Sequence, residues 1–139
     1  GDLGDQWTFD IINNIFNKVL NGSKIIALHK GRYFQVSEGL QIDSGAFIKA
    51  IEYATSTTSE VVGKPEKAFF ELALKDMNLS PEESMMIGDD IINDVEGAQL
   101  AGIKGVLVKT GKYRKDLVAK SNIEPDLIIS SIDDIIKYL

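Results

Sequence analysis

Cysteine is absent from the 139 residues, and histidine occurs once, as His29. Without thiols there is no disulfide, no thiolate metal cage and no cysteine nucleophile. A single imidazole likewise argues against a zinc cage and against a histidine triad with a ligand to spare. No apolar run approaches the roughly 18 residues of a membrane span, and no signal-peptide pattern opens the chain. Positive charge is in deficit: 15 Lys and Arg face 21 Asp and Glu, a net charge of −6. That is the wrong sign for a surface that binds nucleic acid broadly. Also missing are the G-x-x-x-x-G-K-[ST] and G-x-G-x-x-G loops and the G-x-S-x-G elbow, which removes the P-loop, dinucleotide and α/β-hydrolase readings. The expectation that survives is a cytoplasmic α/β domain with no membrane and no nucleic-acid partner. The opening Gly1-Asp2-Leu3-Gly4-Asp5 has no initiator methionine and reads as a loop that follows something, as in one piece of a longer protein.

Apolar spacing supplies the elements. Trp7, Ile11, Ile12, Ile15, Phe16, Val19 and Leu20 share a helical face, with Thr8 as the cap and Gly22 at the end. Lys24 to Leu28 and Tyr33 to Val36 read as strands, the second followed by a Ser37-Glu38-Gly39 turn. Ser44 is the expected cap of a helix carrying Phe47, Ala50, Ile51 and Ala54. Glu60 to Val62 is a strand, and Lys64-Pro65 is expected to open the next helix, with Phe69, Phe70, Ala73, Leu74 and Met77 as its buried stripe. Ser80-Pro81-Glu82-Glu83 is a capping box, Ser84 to Ile87 a buried strand, and Val95, Ala98 and Ala101 mark a helix stopped by Gly102. Strands over 105–109 and 127–129 and a last amphipathic helix through Ile132, Ile135, Ile136 and Leu139 complete the series. From about residue 44 the alternation of short apolar strands with helices implies a parallel sheet covered on both faces. The first 43 residues, richer in strand-turn-strand and aromatic residues, read as part of a second module.

In open parallel sheets ligands gather outside the carboxyl ends of the strands. Three such ends carry glycine-marked polar loops: Gly63-Lys64-Pro65, Gly88-Asp89-Asp90 and Thr110-Gly111-Lys112. Asp94, five residues after Asp89, is placed to point back at the same loop. Asp89, Asp90 and Asp94 together offer hard oxygen ligands that suit Mg²⁺, which takes one or two carboxylates and keeps several waters. Lys64 adds a compact positive charge for a phosphate or a neighbouring carboxylate. Gly-Asp-Asp alone is a solvated turn; joined to a lysine at a neighbouring strand end it becomes a candidate site. The run His29-Lys30-Gly31-Arg32-Tyr33 fits contact with an anionic substrate or a solvated hairpin tip equally well, and His29 at a strand end reads as structural.

Three segments carry a resemblance: Val62-Gly-Lys-Pro-Glu-Lys-Ala-Phe-Phe70, Met86-Ile-Gly-Asp-Asp-Ile-Ile-Asn-Asp-Val-Glu-Gly-Ala98 and Gly105-Val-Leu-Val-Lys-Thr-Gly-Lys112. Together they resemble the haloacid dehalogenase-like (HAD) superfamily, specifically its subclass IIA phosphatases. The resemblance implies the C-terminal half of such an enzyme: residues 1–43 as the end of an α/β cap domain, and 44–139 as part of a doubly wound, Rossmann-like parallel-sheet core. It implies a Mg²⁺-dependent phosphohydrolase that acts on a small phosphorylated metabolite through an aspartyl-phosphate. By position, Lys64 would orient the phosphate, Asp89 would ligate the metal, Asp94 would support the metal or its waters, and Asp90 would assist. The family's nucleophile motif, D-x-[DST]-G, is not in the chain. Asp2 and Asp43 only echo it, in Gly1-Asp2-Leu3-Gly4 and Ile42-Asp43-Ser44-Gly45. The chain alone is therefore expected to be inactive, and its open sheet edges favour a homodimer or pairing with a nucleophile-bearing N-terminal half. The alternative is a non-catalytic phosphate- or metal-binding domain of the same fold. A response-regulator receiver is a poorer fit, because there the lysine follows the acidic residues in sequence, and here it precedes them.

Overall fold

Thr8 is extended, and its hydroxyl accepts the backbone N–H of Ile11 at 3.4 Å, which starts helix α1, Phe9–Leu20. Trp7, just ahead of the cap, stacks flat on Phe47 with ring centroids 4.5 Å apart. These details come from a computed structural model that describes residues 4–138. Gly1-Asp2-Leu3 of the opening loop and the final apolar position, Leu139, lie outside the described residues. The chain forms two compact units, 1–63 and 64–139.

In the first unit α1 is followed by strands β1 (Ile26–Ala27), β2 (Tyr33–Val36) and β3 (Gly39–Ile42), helix α2 (Ser44–Thr55) and strand β4 (Glu60–Val61). β2 and β3 form an antiparallel hairpin with Tyr33 opposite Ile42. β3 is an element that sequence reading stops short of, since Gly39 reads as the turn itself. β1 and β4 pair in parallel, Ile26 with Glu60 and Ala27 with Val61. The strand at 60–61 therefore partners β1, although by sequence it reads as part of the alternating strand and helix series that follows.

Helix α2 departs from its sequence pattern at both its cap and its buried face. The cap of α2 is Asp43, whose carboxylate accepts the N–H of Ser44 at 2.6 Å, while Ser44 is the first helical residue. The buried face of α2 is also rotated: Ile51 and Glu52 are buried, and Ala50 and Ala54 are exposed. The cause is Glu52, an acidic residue that the apolar pattern places outside and an ion-pair network turns inward.

The second unit holds helix α3 (Lys67–Met77), strand β5 (Met85–Gly88), a π-helical turn over Ile91–Glu96 that runs on into helix α4 (Gly97–Leu100), strand β6 (Lys104–Val108), helix α5 (Lys115–Ser121), strand β7 (Leu127–Ile129) and a 3₁₀ helix, Ile132–Tyr138. The sheet is parallel, in the order β5-β6-β7, with Gly88 beside Leu107 and Val108 beside Ile129. β6 is its centre. Leu107 packs with Ile91 and Val95 on one face, and Val106 and Val108 pack with Ile129 on the other. Burial on both faces explains why this strand is an uninterrupted apolar run.

Helix α3 begins at Lys67, so Lys64-Pro65 precedes it as a loop joined by a cis peptide bond and does not form its first turn. Its buried stripe is narrower than its apolar pattern: Phe70 and Leu74 enter the core with Ala98, Ala101 and Ile103, while Phe69, Ala73 and Met77 stay exposed. The capping box at Ser80 forms as expected, with the Ser80 N–H donating to Glu83 Oε2 at 2.9 Å. Helix α5 is absent from the sequence reading, yet parallel neighbours such as β6 and β7 need a crossover, and α5 provides it. No helix among the described residues is long and apolar enough to cross a membrane.

Candidate functional site

β5 ends at Gly88, and the chain leaves the sheet as Asp89-Asp90 before turning into the π-helical segment. Gly88 is required by what lies beside it: a Cβ there would collide with the Asp94 carboxylate. Asp90 caps the turn. Its Oδ1 accepts the N–H groups of Ile92 at 3.1 Å and Asn93 at 3.0 Å, and its Oδ2 accepts the Asn93 side-chain amide at 2.7 Å. Burial pushes the Asp90 carboxyl upward, but the Asn93 donors and the Lys112 charge outweigh it and hold the group below the ordinary carboxylate range.

Asp94 is buried, and both of its oxygens are engaged. Oδ1 receives the Lys64 ammonium at 2.6 Å, and Oδ2 the Asp90 N–H at 3.1 Å. The Lys64 side chain is 38% exposed, and its ammonium keeps two donors beyond the one given to Asp94. Asp89 differs from both neighbours: Oδ2 accepts the Lys112 N–H at 2.9 Å, and Oδ1 takes no hydrogen bond from a described residue. Lys64, Asp90 and Asp94 are thus linked in one chain of hydrogen bonds, and Lys112 ties Asp89 to it, with its ammonium 3.4 Å from Asp90 Oδ2. Sequence reading marks the Thr110-Gly111-Lys112 loop as a strand end but assigns Lys112 and Asn93 no part. Their contacts depend on register between strands and on the turn, neither of which spacing reveals.

No group of three or more acidic or histidine side chains forms a metal cage among the described residues. Mg²⁺ does not need one, since it is held by one or two carboxylates with waters and substrate oxygens. A hard, anionic donor set with one open oxygen on Asp89 fits that requirement.

The basic run of the first unit is employed differently. Lys30 donates to the buried Glu52 at 2.7 Å, and Arg32 lies over the Tyr33 ring, 5.9 Å from its centroid. His29, Asp43 and Ser44 come together, with Ser44 Oγ 3.5 Å from Nε2 and Asp43 Oδ2 3.7 Å from Nδ1. This is not a nucleophilic triad. The Gly31 N–H donates to Nδ1 at 3.2 Å, so the neutral ring carries its proton on Nε2 and has no lone pair there to accept one from Ser44. Asp43 is occupied as the cap of α2, and Asp2 lies outside the described residues.

Residues 61–135 match the HAD-hydrolase-like family. The chain belongs to the HAD-like hydrolases, subclass IIA. It is 46% identical over 139 residues to haloacid dehalogenase-like hydrolase domain-containing protein 2 of Bos taurus, covering 97% of this chain and 54% of that protein. It is 36% identical over 140 residues to the phospholysine phosphohistidine inorganic pyrophosphate phosphatase of Homo sapiens, covering 99% of this chain and 52% of the other. Among solved structures, p-nitrophenyl phosphatase from Archaeoglobus fulgidus superimposes with a TM-score of 0.84 at 26% identity, over 95% of this chain and 52% of that one. The chain thus spans about half the length of the curated relatives it matches.

Proposed function

We propose that this chain carries the metal-side and phosphate-side groups of a Mg²⁺-dependent HAD phosphohydrolase that acts on a small phosphorylated metabolite through an aspartyl-phosphate. The observation that carries the reading is the 2.6 Å contact between Lys64 Nζ and Asp94 Oδ1, one hydrogen bond away from the Asp89-Asp90 strand end. Relatives whose names are phosphatases support the same reaction class.

Asp89, with an open oxygen, is the direct metal ligand. Asp94 supports the metal side by holding Lys64 in place, and Asp90, saturated as a helix cap, assists by fixing the backbone between them. Bound Mg²⁺ supplies positive charge against the phosphoryl oxygens. The Lys64 ammonium has three donors and gives one to Asp94, which leaves N–H groups to orient a phosphate oxygen from the other side. The three carboxylates would repel a dianionic phosphate if left uncompensated, and the two lysines reduce that cost. The nucleophile motif is not in these 139 residues, so the attacking aspartate belongs to a segment outside them. In this reading residues 1–43 are the end of a cap domain and 44–139 part of the core. A cytoplasmic location, and association with a second copy or with a nucleophile-bearing half, belong to the same proposal.

The test is an assay of the 139-residue chain with Mg²⁺ and an aryl phosphate, repeated after adding a polypeptide that bears the D-x-[DST]-G segment. Phosphate binding without turnover is expected from the chain alone, with turnover appearing on addition. Turnover by the chain alone that disappears on changing Asp2 or Asp43 would overturn the assignment of roles. Binding that never becomes turnover would leave a non-catalytic phosphate- or metal-binding domain.

A further inference from the structure

β5 and β6 are neighbours in register, with Gly88 beside Leu107. The loops that follow the two strands therefore emerge side by side, which brings Thr110-Gly111-Lys112 against Asp89-Asp90. Three observations concern this contact. The Lys112 N–H donates to Asp89 Oδ2 at 2.9 Å, the one hydrogen bond that Asp89 receives from a described residue through its side chain. The Lys112 ammonium reaches Asp90 Oδ2 at 3.4 Å, with the two side chains 24% and 18% exposed. Gly111, at φ +42°, presses so closely that a Cβ there would run into the Asp89 carboxylate.

We propose that Lys112 is a positioning residue for the acidic loop, its backbone N–H orienting Asp89 and its ammonium restraining Asp90, so that the turn after β6 sets how Asp89 meets a divalent cation. The inference rests on the phosphohydrolase reading of Asp89 given above and deepens it. An aspartate with two rotatable bonds and no other restraint would present its oxygens in many directions. One hydrogen bond to Oδ2 fixes that oxygen and leaves Oδ1 to meet a cation, as partners behind a metal ligand commonly do. The sign of the Lys112 side-chain effect separates this role from a purely electrostatic one. A lysine that acted only by its charge would repel Mg²⁺, and removing it would tighten binding. A lysine that holds the loop in place would weaken binding when removed.

The experiment uses the 139-residue chain with Mg²⁺ alone as the probe, read by titration calorimetry, with amide hydrogen exchange on the metal-free chain as a second measurement. Lys112→Met should weaken Mg²⁺ binding by about two- to five-fold, the scale of an ion pair that solvent still reaches, and Lys112→Arg should restore most of it. Gly111→Ala, which displaces Asp89 itself, should weaken binding on the order of tenfold or more. Asp89→Ala should speed exchange of the Lys112 amide several-fold without any metal present, and this reading stands even where Gly111→Ala fails to fold. Unchanged or tighter Mg²⁺ binding by Lys112→Met, or a Lys112 amide indifferent to Asp89→Ala, overturns the role of Lys112 and leaves the metal reading intact. Absence of Mg²⁺ binding by the unaltered chain overturns the metal reading, and the role of Lys112 with it.

Discussion

Each unit contains a lysine bound to a buried carboxylate at nearly the same distance, 2.7 Å for Lys30–Glu52 and 2.6 Å for Lys64–Asp94. What surrounds the pairs makes them different objects. Glu52 is closed off. Its Oε1 also accepts the Ser59 N–H at 2.8 Å and hydroxyl at 2.6 Å, and its Oε2 takes Lys49 at 2.8 Å. The network ties α2 to the segment that leads into β4. Lys64–Asp94 sits at strand ends, with the lysine partly open and other carboxylates next in line. A buried ion pair is thus no sign of a site by itself. The sign is a pair whose remaining donors and acceptors are free and whose neighbours carry the complementary chemistry.

The comparison can be broken from either side. The largest effect belongs to the open cluster: in a complete enzyme containing this chain, Asp89→Asn should lower kcat on the order of a hundredfold or more, because a neutral amide holds a hard cation poorly. Turnover within a few-fold of the unaltered protein at saturating Mg²⁺ would remove Asp89 as the ligand. Lys64→Met should lower kcat on the order of a hundredfold while costing only about 1 kcal/mol of stability. A change confined to KM would make Lys64 a uniform binding group.

Glu52→Gln should show the opposite profile, a stability loss of about 3 kcal/mol in denaturant titration with the chemistry of the folded protein kept. Its pH signature has a definite sign. Burial raises the Glu52 carboxyl, but Lys30, Lys49 and Ser59 together hold it far below its ordinary value of 4.5. A folded-state value below the unfolded one means the stabilisation is full above about pH 4.5 and is lost as pH falls further. The gap between the unaltered protein and Glu52→Gln should therefore close on acidification, and a gap independent of pH would refute the network. The smallest change is Thr8→Ala, expected to cost about 0.5–1 kcal/mol through the lost cap of α1 and to leave the Lys64 cluster untouched. An equal loss of Mg²⁺ binding in that variant would show that the two regions are not separable in this way.

Much of the second unit was legible because its signals are local. The both-face burial of β6 appears as a continuous apolar run, the Ser80 capping box as a four-residue pattern, and the strand-end aspartates as a Gly-Asp-Asp break. Glu52 was invisible for the converse reason. An acidic residue in a helix reads as solvent-facing, and its partners lie 22 residues behind it at Lys30 and seven ahead at Ser59. Helix α5 escaped because its seven residues carry no sustained apolar period, and only the parallel pairing of β6 with β7 requires an element between them.

The α/β class, the order of most elements and the residue types gathered at the strand ends follow from local pattern, because periodicity, glycine breaks and charge spacing act over a few residues at a time. Tertiary packing sets the pairing of β4 with β1, leaves Asp89 Oδ1 without a hydrogen bond from a described residue while both oxygens of Asp90 and of Asp94 are engaged, and brings Lys112 against both loop aspartates. Each of those outcomes depends on the register between strands or on which face of a helix turns inward. Such choices are settled by hydrogen bonds and burial among residues distant in sequence, and no local pattern encodes them.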